Sequence, residues 1–392
     1  MVDKQTILFF NSMPFWGGGE KLHLEYAEAF LNKGYRVILF IAKDSPLDKR
    51  AVDSRFIKEY ISIGKFSFLN PFTIYLLSLK VKKYSPGFIV FSASQDMKAA
   101  SLAGAGISSL VYLRGLAVSV KNNYFNRMFF YKYITHFAMN SLETERCTLG
   151  NFDRSRIPGL VKVIYHGIDL EEYHPDRFSN EKFRGGFDGV IIGNAGRLTS
   201  QKAQIDLIHA AVYLKKKNLN FKILIAGSGE LMGDLLIAIK QYQVEDRVNL
   251  AGFVRDMPAF LAGIDIFVLS SHWEGFGYVL VESMALAKPV IAYRISSNPE
   301  LIEDGLNGFL CNLGGRQLAE KIEKLILDEE LRRRMGKNGR KIAEERFEIH
   351  HRVDEFELFI RQKVAGVQKA RAKQAALKSP DNSKGQRRNY QR

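Results

Sequence analysis

A segment in the second half of the chain combines acidic residues and glycines in a pattern that could bind an anion. It runs from His272 to Glu282 and places two carboxylates, Glu274 and Glu282, eight positions apart. An apolar strand pattern precedes it and a helical pattern follows it, so the segment predicts a loop that opens into a helix N-terminus, where phosphates are favoured. Glycines at 275 and 277 would let the backbone approach a ligand closely. A plain turn with two solvated acids is the alternative.

Two cations follow another predicted strand. Arg197 and Lys202 lie five positions apart in a loop after the apolar segment 189–193. Ligands of open α/β sheets bind at the carboxyl ends of strands. An arginine at this edge could donate two parallel hydrogen bonds to a diphosphate, and a lysine could add a single positive charge. Ordinary surface cations are the alternative.

Glycines mark two further turns. Gly17, Gly18 and Gly19 follow the first predicted strand, and this cluster by itself is weak support for an anion site. The turn at 227–229 resembles a dinucleotide fingerprint, but its next glycine is Gly233. That spacing is GxGxxxG rather than GxGxxG, which argues against NAD or FAD.

The elements around these loops repeat a strand, loop, helix, strand order. Near the start, the pattern predicts strands over 7–10 and 35–42 around a helix over 20–33. From 189 it predicts strands over 189–193 and 221–226 around a helix over 202–217. Strands that alternate with helices indicate parallel sheets covered on both faces. The sequence therefore predicts two doubly wound α/β domains joined by a linker over 175–186, with a last helix over 353–364.

Composition argues against secreted, collagenous, disordered and integral-membrane proteins. The 392 residues are 46% hydrophobic and 25% charged, as in ordinary globular proteins. The two cysteines, Cys147 and Cys311, fit no metal or disulfide spacing, so a reducing cytoplasm is the expected compartment. Apolar runs fall short of the ~20 residues that a spanning helix needs. No Asp-x-Asp motif occurs, so no bound metal is expected.

Positive charge, +15 in total, is concentrated in three places. Residues 365–392 carry eight basic residues and one acid and predict a disordered basic tail. Segments 57–84 and 120–137 combine lysines and arginines with many aromatic side chains. Core packing explains part of this pattern. The remainder predicts a surface that lies on anionic lipid, which would place the protein at the cytoplasmic face of a membrane. A nucleic-acid partner is the other reading of the charge, but no known nucleic-acid module is present.

Taken together, the motifs resemble a known family over about residues 5–350. They are the Gly-Gly-Gly-Glu turn at 17–20, the segment 163–169, Gly196-Arg197-Leu198 with Lys202, the strand into 226–229, the segment 249–253, the Glu-x7-Glu pair and the segment 299–308. The chain looks like a retaining glycosyltransferase of the GT-B type, family 4 (glycosyl transferases group 1). The resemblance implies two Rossmann-like domains facing a central cleft, with the acceptor domain over 1–174, the nucleotide-sugar domain over 187–350, a C-terminal helix over 351–366 and the tail over 367–392.

The resemblance also implies roles for matching residues. Arg197 and Lys202 would hold the donor diphosphate, Glu274 would lie beside the transferred sugar, and Glu282 would bind the ribose hydroxyls. The remaining donor-binding candidates are Gly18, Gly19, Gly275, Phe276, Gly277, Tyr278 and Val279. No cofactor is implied besides the nucleotide-sugar, whose base we expect to be uridine, and the expected acceptor is a glycan or a lipid-linked sugar of a lipopolysaccharide or another cell-surface polysaccharide. A GT-B epimerase-like or phosphorylase-like enzyme is the nearest alternative.

This sequence departs from the family pattern at three places. The family often has His-Gly or His-Asp where this chain has Arg114 and Gly115. Arginine cannot act as a base, but it could contact an anionic acceptor or the donor phosphate. A pair of glycines is replaced by Ser296 and Ser297, and the glycine after Lys202 is replaced by Ala203.

Overall fold

The structure, a computed structural model, describes residues 6–61, 70–178 and 181–362. The predicted basic tail, the end of the predicted last helix and part of the basic segment 57–84 lie outside these residues. The described residues form two units, each built on a parallel sheet. None of the described helices is both long enough and apolar enough to cross a membrane.

The first unit contains a sheet of seven strands in the order β3-β2-β1-β4-β5-β6-β7, and every strand pair is parallel. Alternate residues of its first strand enter two different cores, Ile7 and Phe9 on one face and Leu8 and Phe10 on the other. Both faces are therefore covered, as parallel sheets require. Its elements are β1 Thr6–Asn11, α1 Gly18–Asn32, β2 Arg36–Ala42, α2 Pro46–Arg50, β3 Ile57–Ile61, α3 Pro71–Tyr84, β4 Phe88–Phe91, α4 Ser94–Gly104, β5 Ser109–Arg114, α5 Tyr124–Lys132, β6 His136–Met139, α6 Leu142–Leu149 and β7 Leu160–Val163.

The second unit contains a sheet of six parallel strands in the order β10-β9-β8-β11-β12-β13. Its elements are α7 Glu181–Arg184, β8 Val190–Ala195, α8 Ile205–Lys216, β9 Phe221–Ala226, α9 Met232–Gln241, β10 Val248–Gly252, α10 Met257–Ala262, β11 Ile266–Leu269, α11 Tyr278–Ala285, β12 Val290–Tyr293, α12 Asn298–Leu301, β13 Gly308–Cys311, α13 Gly315–Leu327 and α14 Glu329–Phe347.

Both sheets are doubly wound, which confirms the predicted α/β class and GT-B architecture. The strand order reverses between β1 and β4 in the first unit and between β8 and β11 in the second. Open α/β sheets bind ligands in the crevice at the carboxyl ends of such strands. The loops after β8 and β11 are the two predicted anion-binding segments, so the topology brings them together.

The chain crosses between the units at two adjacent places, and these differ from the predicted boundaries. Ile164 lies in a core of the first unit, whereas Ile168 already lies in a core of the second. The return crossing lies beside it, because the amide of Ile168 donates to the carbonyl of Phe347 at 2.7 Å. The last described helix, α15, spans Ile349–Arg361 and packs on the core of the first unit. The helix predicted as a separate element therefore completes the first unit.

The predicted linker and one predicted helix also need correction. Phe178 and Phe183, within the predicted linker, pack on the core of the second unit. The helix predicted over 202–217 begins only at Ile205, because Ala203 has φ +47° and cannot be helical. Lys202 thus belongs to the loop, which leaves its side chain at the carboxyl edge of the sheet.

Candidate active site

Lys202 and Glu274 meet at the reversal point of the second sheet. Lys202 follows β8 and Glu274 follows β11, and Lys202 Nζ lies 2.5 Å from Glu274 Oε1. Backbone bonds fix the two loops against each other: the amide of His272 donates to the carbonyl of Gln201 at 2.8 Å, and Ser270 Oγ donates to the carbonyl of Lys202 at 2.8 Å. The ion pair therefore rests on two rigid strand ends.

Arg197 lies on the loop between β8 and Lys202, and its side chain is exposed. Within the described part of the chain its guanidinium forms no ion pair shorter than 4 Å. Its charge lowers the pKa of Glu20, a buried carboxyl of the first unit whose pKa is raised overall by burial. Arg197 thus faces the start of α1 across the cleft, where its guanidinium could bind an anionic ligand.

The start of α1 leaves open space in front of its first amides. Gly18 and Gly19 form the first turn, and a Cβ added at either would meet no atom within 4 Å. The first turn of a helix has no intrahelical acceptors for its N–H groups, so this end favours an anion. The predicted contact of Gly18 and Gly19 with the donor stays a prediction, and the geometry leaves room for it.

The start of α11 supplies a second helix N-terminus in the second unit. Gly277 has φ +69° and turns the chain into the helix, where a side chain would be strained. The amides of Tyr278 and Val279 lie in the first turn. Phe276, in contrast, is buried and stacks on His166 with ring centroids 4.9 Å apart. Its side chain therefore packs between the units, and only its backbone could serve the predicted role in donor binding.

Gly275 allows a close approach, but the partner is protein. A Cβ at Gly275 would lie 2.0 Å from the carbonyl oxygen of Gly115 in the first unit. The carbonyl of Gly275 accepts a hydrogen bond from Ser141 Oγ of the same unit at 2.5 Å. Its missing side chain therefore lets the two units touch, and the predicted contact of this glycine with the donor stays a prediction.

Glu282 also contacts the first unit. Its Oε1 accepts from Lys21 Nζ at 2.8 Å and from the hydroxyl of Tyr173 at 2.9 Å. Tyr278, four residues earlier, donates its hydroxyl to Glu25 at 2.9 Å. Burial and the neighbouring acids Glu25 and Glu282 raise the pKa of this tyrosine. The Glu-x7-Glu pair thus divides its contacts, with Glu274 paired inside the second unit and Glu282 paired across the cleft.

A further carboxylate holds the units together. Glu300 accepts the amides of Leu142 at 2.8 Å and Glu143 at 3.1 Å, which are the first-turn amides of α6 in the first unit. A carboxylate at a helix N-terminus is favoured by the helix dipole. The structure therefore shows the units in contact around the cleft.

Arg114 is part of the interior of the first unit. It is buried, and its three nitrogens donate to Thr148 Oγ1 at 3.0 Å, the hydroxyl of Tyr112 at 2.7 Å and the carbonyl of Val118 at 3.1 Å. These bonds tie β5 to α6 and to the loop after β5. Arg114 therefore has a structural role in the first unit, and its predicted contact with an acceptor or phosphate stays a prediction.

Three residues that sequence reasoning missed complete the site: Lys21, Glu25 and Tyr173. Lys21 directly follows the glycine turn and its glutamate, which is a local signal that could have singled it out. Glu25 follows one helical turn later. Tyr173 lies in a segment without periodicity, and nothing local marks it. Among the described residues no group of three or more His, Cys, Asp or Glu side chains could hold a metal ion.

Comparison with known proteins identifies the second unit. Residues 178–342 match the family model described as glycosyl transferases group 1. The capsular polysaccharide biosynthesis glycosyltransferase CapM of Staphylococcus aureus is 34% identical over 186 residues, which cover 46% of this chain and 49% of that protein. The UDP-Gal:alpha-D-GlcNAc-diphosphoundecaprenol alpha-1,3-galactosyltransferase of Escherichia coli is 31% identical over 204 residues, covering 50% and 53%. The chain thus spans about half the length of the curated relatives it matches.

A solved structure extends the likeness to both units. Alr3699/HepE of Anabaena, crystallised with UDP and glucose, aligns with a TM-score of 0.77 at 23% identity, covering 90% of this chain and 98% of that one. At this identity the likeness concerns the fold. The resemblance stated from the motifs is thereby supported over residues 178–342, and the predicted GT-B architecture is confirmed for the fold.

Proposed function

We propose, on the premise that the second unit is a member of the glycosyl transferases group 1 family, that this protein is a glycosyltransferase of cell-surface polysaccharide synthesis. It moves a sugar from a nucleoside diphosphate, with uridine as the expected base, to a glycan or lipid-linked acceptor. The observation that carries the proposal is the contact of Lys202 with Glu274 at the reversal point of the second sheet. Beside it lies Arg197, which has no ion-pair partner among the described residues. The names of the relatives, which include a capsular and a diphosphoundecaprenol-linked transferase, support the acceptor class.

The proposed reaction breaks the bond between the sugar C1 and the diphosphate oxygen and forms a bond from C1 to an acceptor hydroxyl oxygen. The hydroxyl proton passes to the leaving phosphate. Negative charge grows on the diphosphate as the bond breaks, and Arg197, Lys202 and the first-turn amides of α11 are positioned to stabilise it. Glu274 would lie beside the sugar, and Glu282 would bind the ribose. We propose no bound metal for this step, because the chain has no Asp-x-Asp motif and because Arg197 and Lys202 would supply the positive charge.

We propose that the anomeric configuration is retained, with the acceptor attacking on the face that the diphosphate leaves. The family resemblance supports this stereochemistry. Nuclear magnetic resonance of the first-formed product tests it, and an inverted anomer would contradict it.

The assay for the whole proposal is release of nucleoside diphosphate from a panel of nucleotide sugars, with and without acceptor, after metal removal by chelator. Acceptor-dependent release that survives the chelator is expected. Release without any acceptor product would favour an epimerase-like enzyme, and product formation from a sugar 1-phosphate would favour a phosphorylase-like one. Activity restored only by Mg²⁺ or Mn²⁺ would contradict the metal-free step.

We further propose that the first unit docks on anionic lipid, from the cytoplasmic side, through one face of α3. Phe72, Tyr75, Leu76 and Leu79 follow helical spacing and are exposed, whereas the opposite side of the helix is buried. The helix has no acidic residue. Glu59 lies 2.6 Å from Lys80 and so neutralises part of the predicted charge, which makes the apolar face the main contact.

Sedimentation with vesicles tests this surface. Phe72 and Tyr75 are 65% and 59% exposed. Burying them would contribute about 2–3 kcal/mol, so replacing both with serine should weaken binding to anionic vesicles by on the order of a hundredfold. Leu358→Ser, at an exposed position of α15, is the control and should bind normally. Equal binding of the double variant and wild type would contradict docking through α3.

A further inference from the structure

Lys21 connects the glycine turn of the first unit to the carboxylate that is proposed to bind ribose. It follows Glu20 in α1, and its Nζ reaches Glu282 Oε1 across the cleft. The hydroxyl of Tyr173 donates to the same oxygen at 2.9 Å. Glu282 is almost fully buried, with 9% of its side chain exposed. Oε1 is therefore saturated by two protein donors, and Oε2 is the oxygen left for a ligand.

Aromatic rings hold the lysine in place. Its Nζ lies 4.3 Å from the ring centroid of Tyr278 and 5.6 Å from that of Tyr173. Cations over aromatic faces are attracted by the ring quadrupole, more strongly where water is excluded. Only 27% of the Lys21 side chain is exposed. The amine thus has a defined position, which a freely rotating surface lysine would lack.

Acidic side chains surround this one amine. Glu25 lies 3.7 Å away, and Glu172 also contributes to its electrostatic field. Burial opposes the charge on Lys21, but Glu282 and Glu25 outweigh it and raise the pKa of the amine. Removing the positive charge would leave Glu282 beside other carboxylates without a counter-charge, which favours displacement of its side chain.

We infer that Lys21 is a positioning residue for nucleotide recognition: from the first unit, it holds the carboxyl group of Glu282 turned so that Oε2 accepts the ribose hydroxyls. This inference rests on the proposed function, because the ribose role of Glu282 belongs to it. It adds that full recognition of the ribose requires both units in contact. Arg197 and Lys202, the side chains proposed to bind the diphosphate, both belong to the second unit and do not depend on the contact between the units.

The test compares a ribonucleotide with its 2′-deoxy form. Titration calorimetry with UDP, GDP and ADP selects the diphosphate that wild type binds most tightly, and its 2′-deoxy analogue is then titrated. Lys21→Met keeps the stem over the rings and removes the charge, and Lys21→Arg keeps the charge. Lys33→Met is the matched control, because Lys33 follows the end of α1 and pairs with Glu357 away from the cleft.

Wild type should prefer the ribonucleotide by about tenfold or more, the scale of a hydrogen bond to a charged group. Lys21→Met should still bind both nucleotides but lose most of this preference, Lys21→Arg should restore it, and Lys33→Met should match wild type. If Lys21→Met does not fold, Tyr173→Phe replaces it, since it removes the other donor to the same oxygen and should lower the preference in part.

Different failures have different meanings. If wild type binds none of the diphosphates, the proposed function itself is overturned. If wild type binds the ribonucleotide and its 2′-deoxy form equally well, Glu282 does not contact the ribose hydroxyls and the inference fails. If Lys21→Met discriminates as well as wild type, or weakens both nucleotides equally, Lys21 has no positioning role, while the proposed function stands.

Discussion

Replacing Gly275 with alanine tests whether the contact between the units is part of the working enzyme. The new Cβ would lie 2.0 Å from the carbonyl oxygen of Gly115 and 3.1 Å from its carbonyl carbon. Carbon–oxygen contacts normally lie at about 3.3–3.6 Å. The atoms of Gly115 and Ala117 that lie near the new Cβ all belong to the backbone, so no side chain can rotate away. The units must therefore separate by more than about 1 Å at this point.

A displacement of this size has a predictable effect on turnover. Glu274, next to Gly275, belongs to the second unit, whereas the acceptor is proposed to bind the first. A misplacement of about 1 Å can reduce catalysis by on the order of a hundredfold, or about 2.7 kcal/mol. The core of each unit is untouched, so the thermal unfolding midpoint should stay within about 2 °C, the scale of less than 1 kcal/mol in units of this size.

The assay is steady-state, acceptor-dependent release of nucleoside diphosphate, with the unfolding midpoint measured on the same samples. Gly233→Ala is the matched control. Gly233 lies in α9, where a Cβ meets nothing within 4 Å and alanine suits the helix interior. This variant should keep full activity and equal or higher stability.

If the kcat/KM of the Gly275→Ala variant stays within about threefold of wild type, the contact between the units has no role in turnover. The contact between Gly275 and Gly115 would then not exist in the reacting enzyme. A variant that loses both activity and fold would instead show that the contact is needed for stability.

The remaining predictions concern the ion pair, one strained residue and one buried acid. Lys202→Ala and Glu274→Gln should each lower kcat by on the order of a hundredfold in folded protein, the scale of a lost transition-state contact, and near-normal turnover in either would remove its assigned role. Ala203→Gly should raise the free energy of unfolding by about 0.5–1 kcal/mol in chemical denaturation. The reason is that the left-handed strain of alanine, about 1–2 kcal/mol, exceeds the entropy that glycine adds to the unfolded chain. A lower free energy of unfolding would contradict this. Burial raises the pKa of Glu25 from 4.5 to about 7, so the folded protein binds the Glu25 proton more tightly than the unfolded chain does. The stability that this proton contributes is complete below pH 4.5 and is lost as the pH rises through 7. Glu25→Gln should therefore gain in unfolding midpoint relative to wild type between pH 5 and 8, and a constant difference would show that Glu25 does not titrate in this range.

Much of the second unit could be predicted from the sequence, because its signals are local. The alternation of strand and helix patterns indicates a doubly wound sheet, and such a sheet places the carboxyl ends of its strands at one edge. Lys202 and Glu274 follow strands that are neighbours at the reversal point, so their meeting is a consequence of topology. The family pattern also indicates the backbone conformation at two positions. Ala203 and Ser296 both have positive φ, and the family has glycine at both positions.

The contacts between the two units follow from their relative placement in three dimensions. The neighbour of Gly275 is Gly115, the partner of Glu282 is Lys21, and the guanidinium of Arg114 points into its own unit. The residues of these two cross-unit pairs lie 160 and 261 positions apart along the chain. Such contacts depend on the relative placement of two bodies. Hydrophobic periodicity and motif spacing describe only neighbours along the chain, so they determine each sheet and its loops but carry no information about which loop of one unit touches which helix of the other.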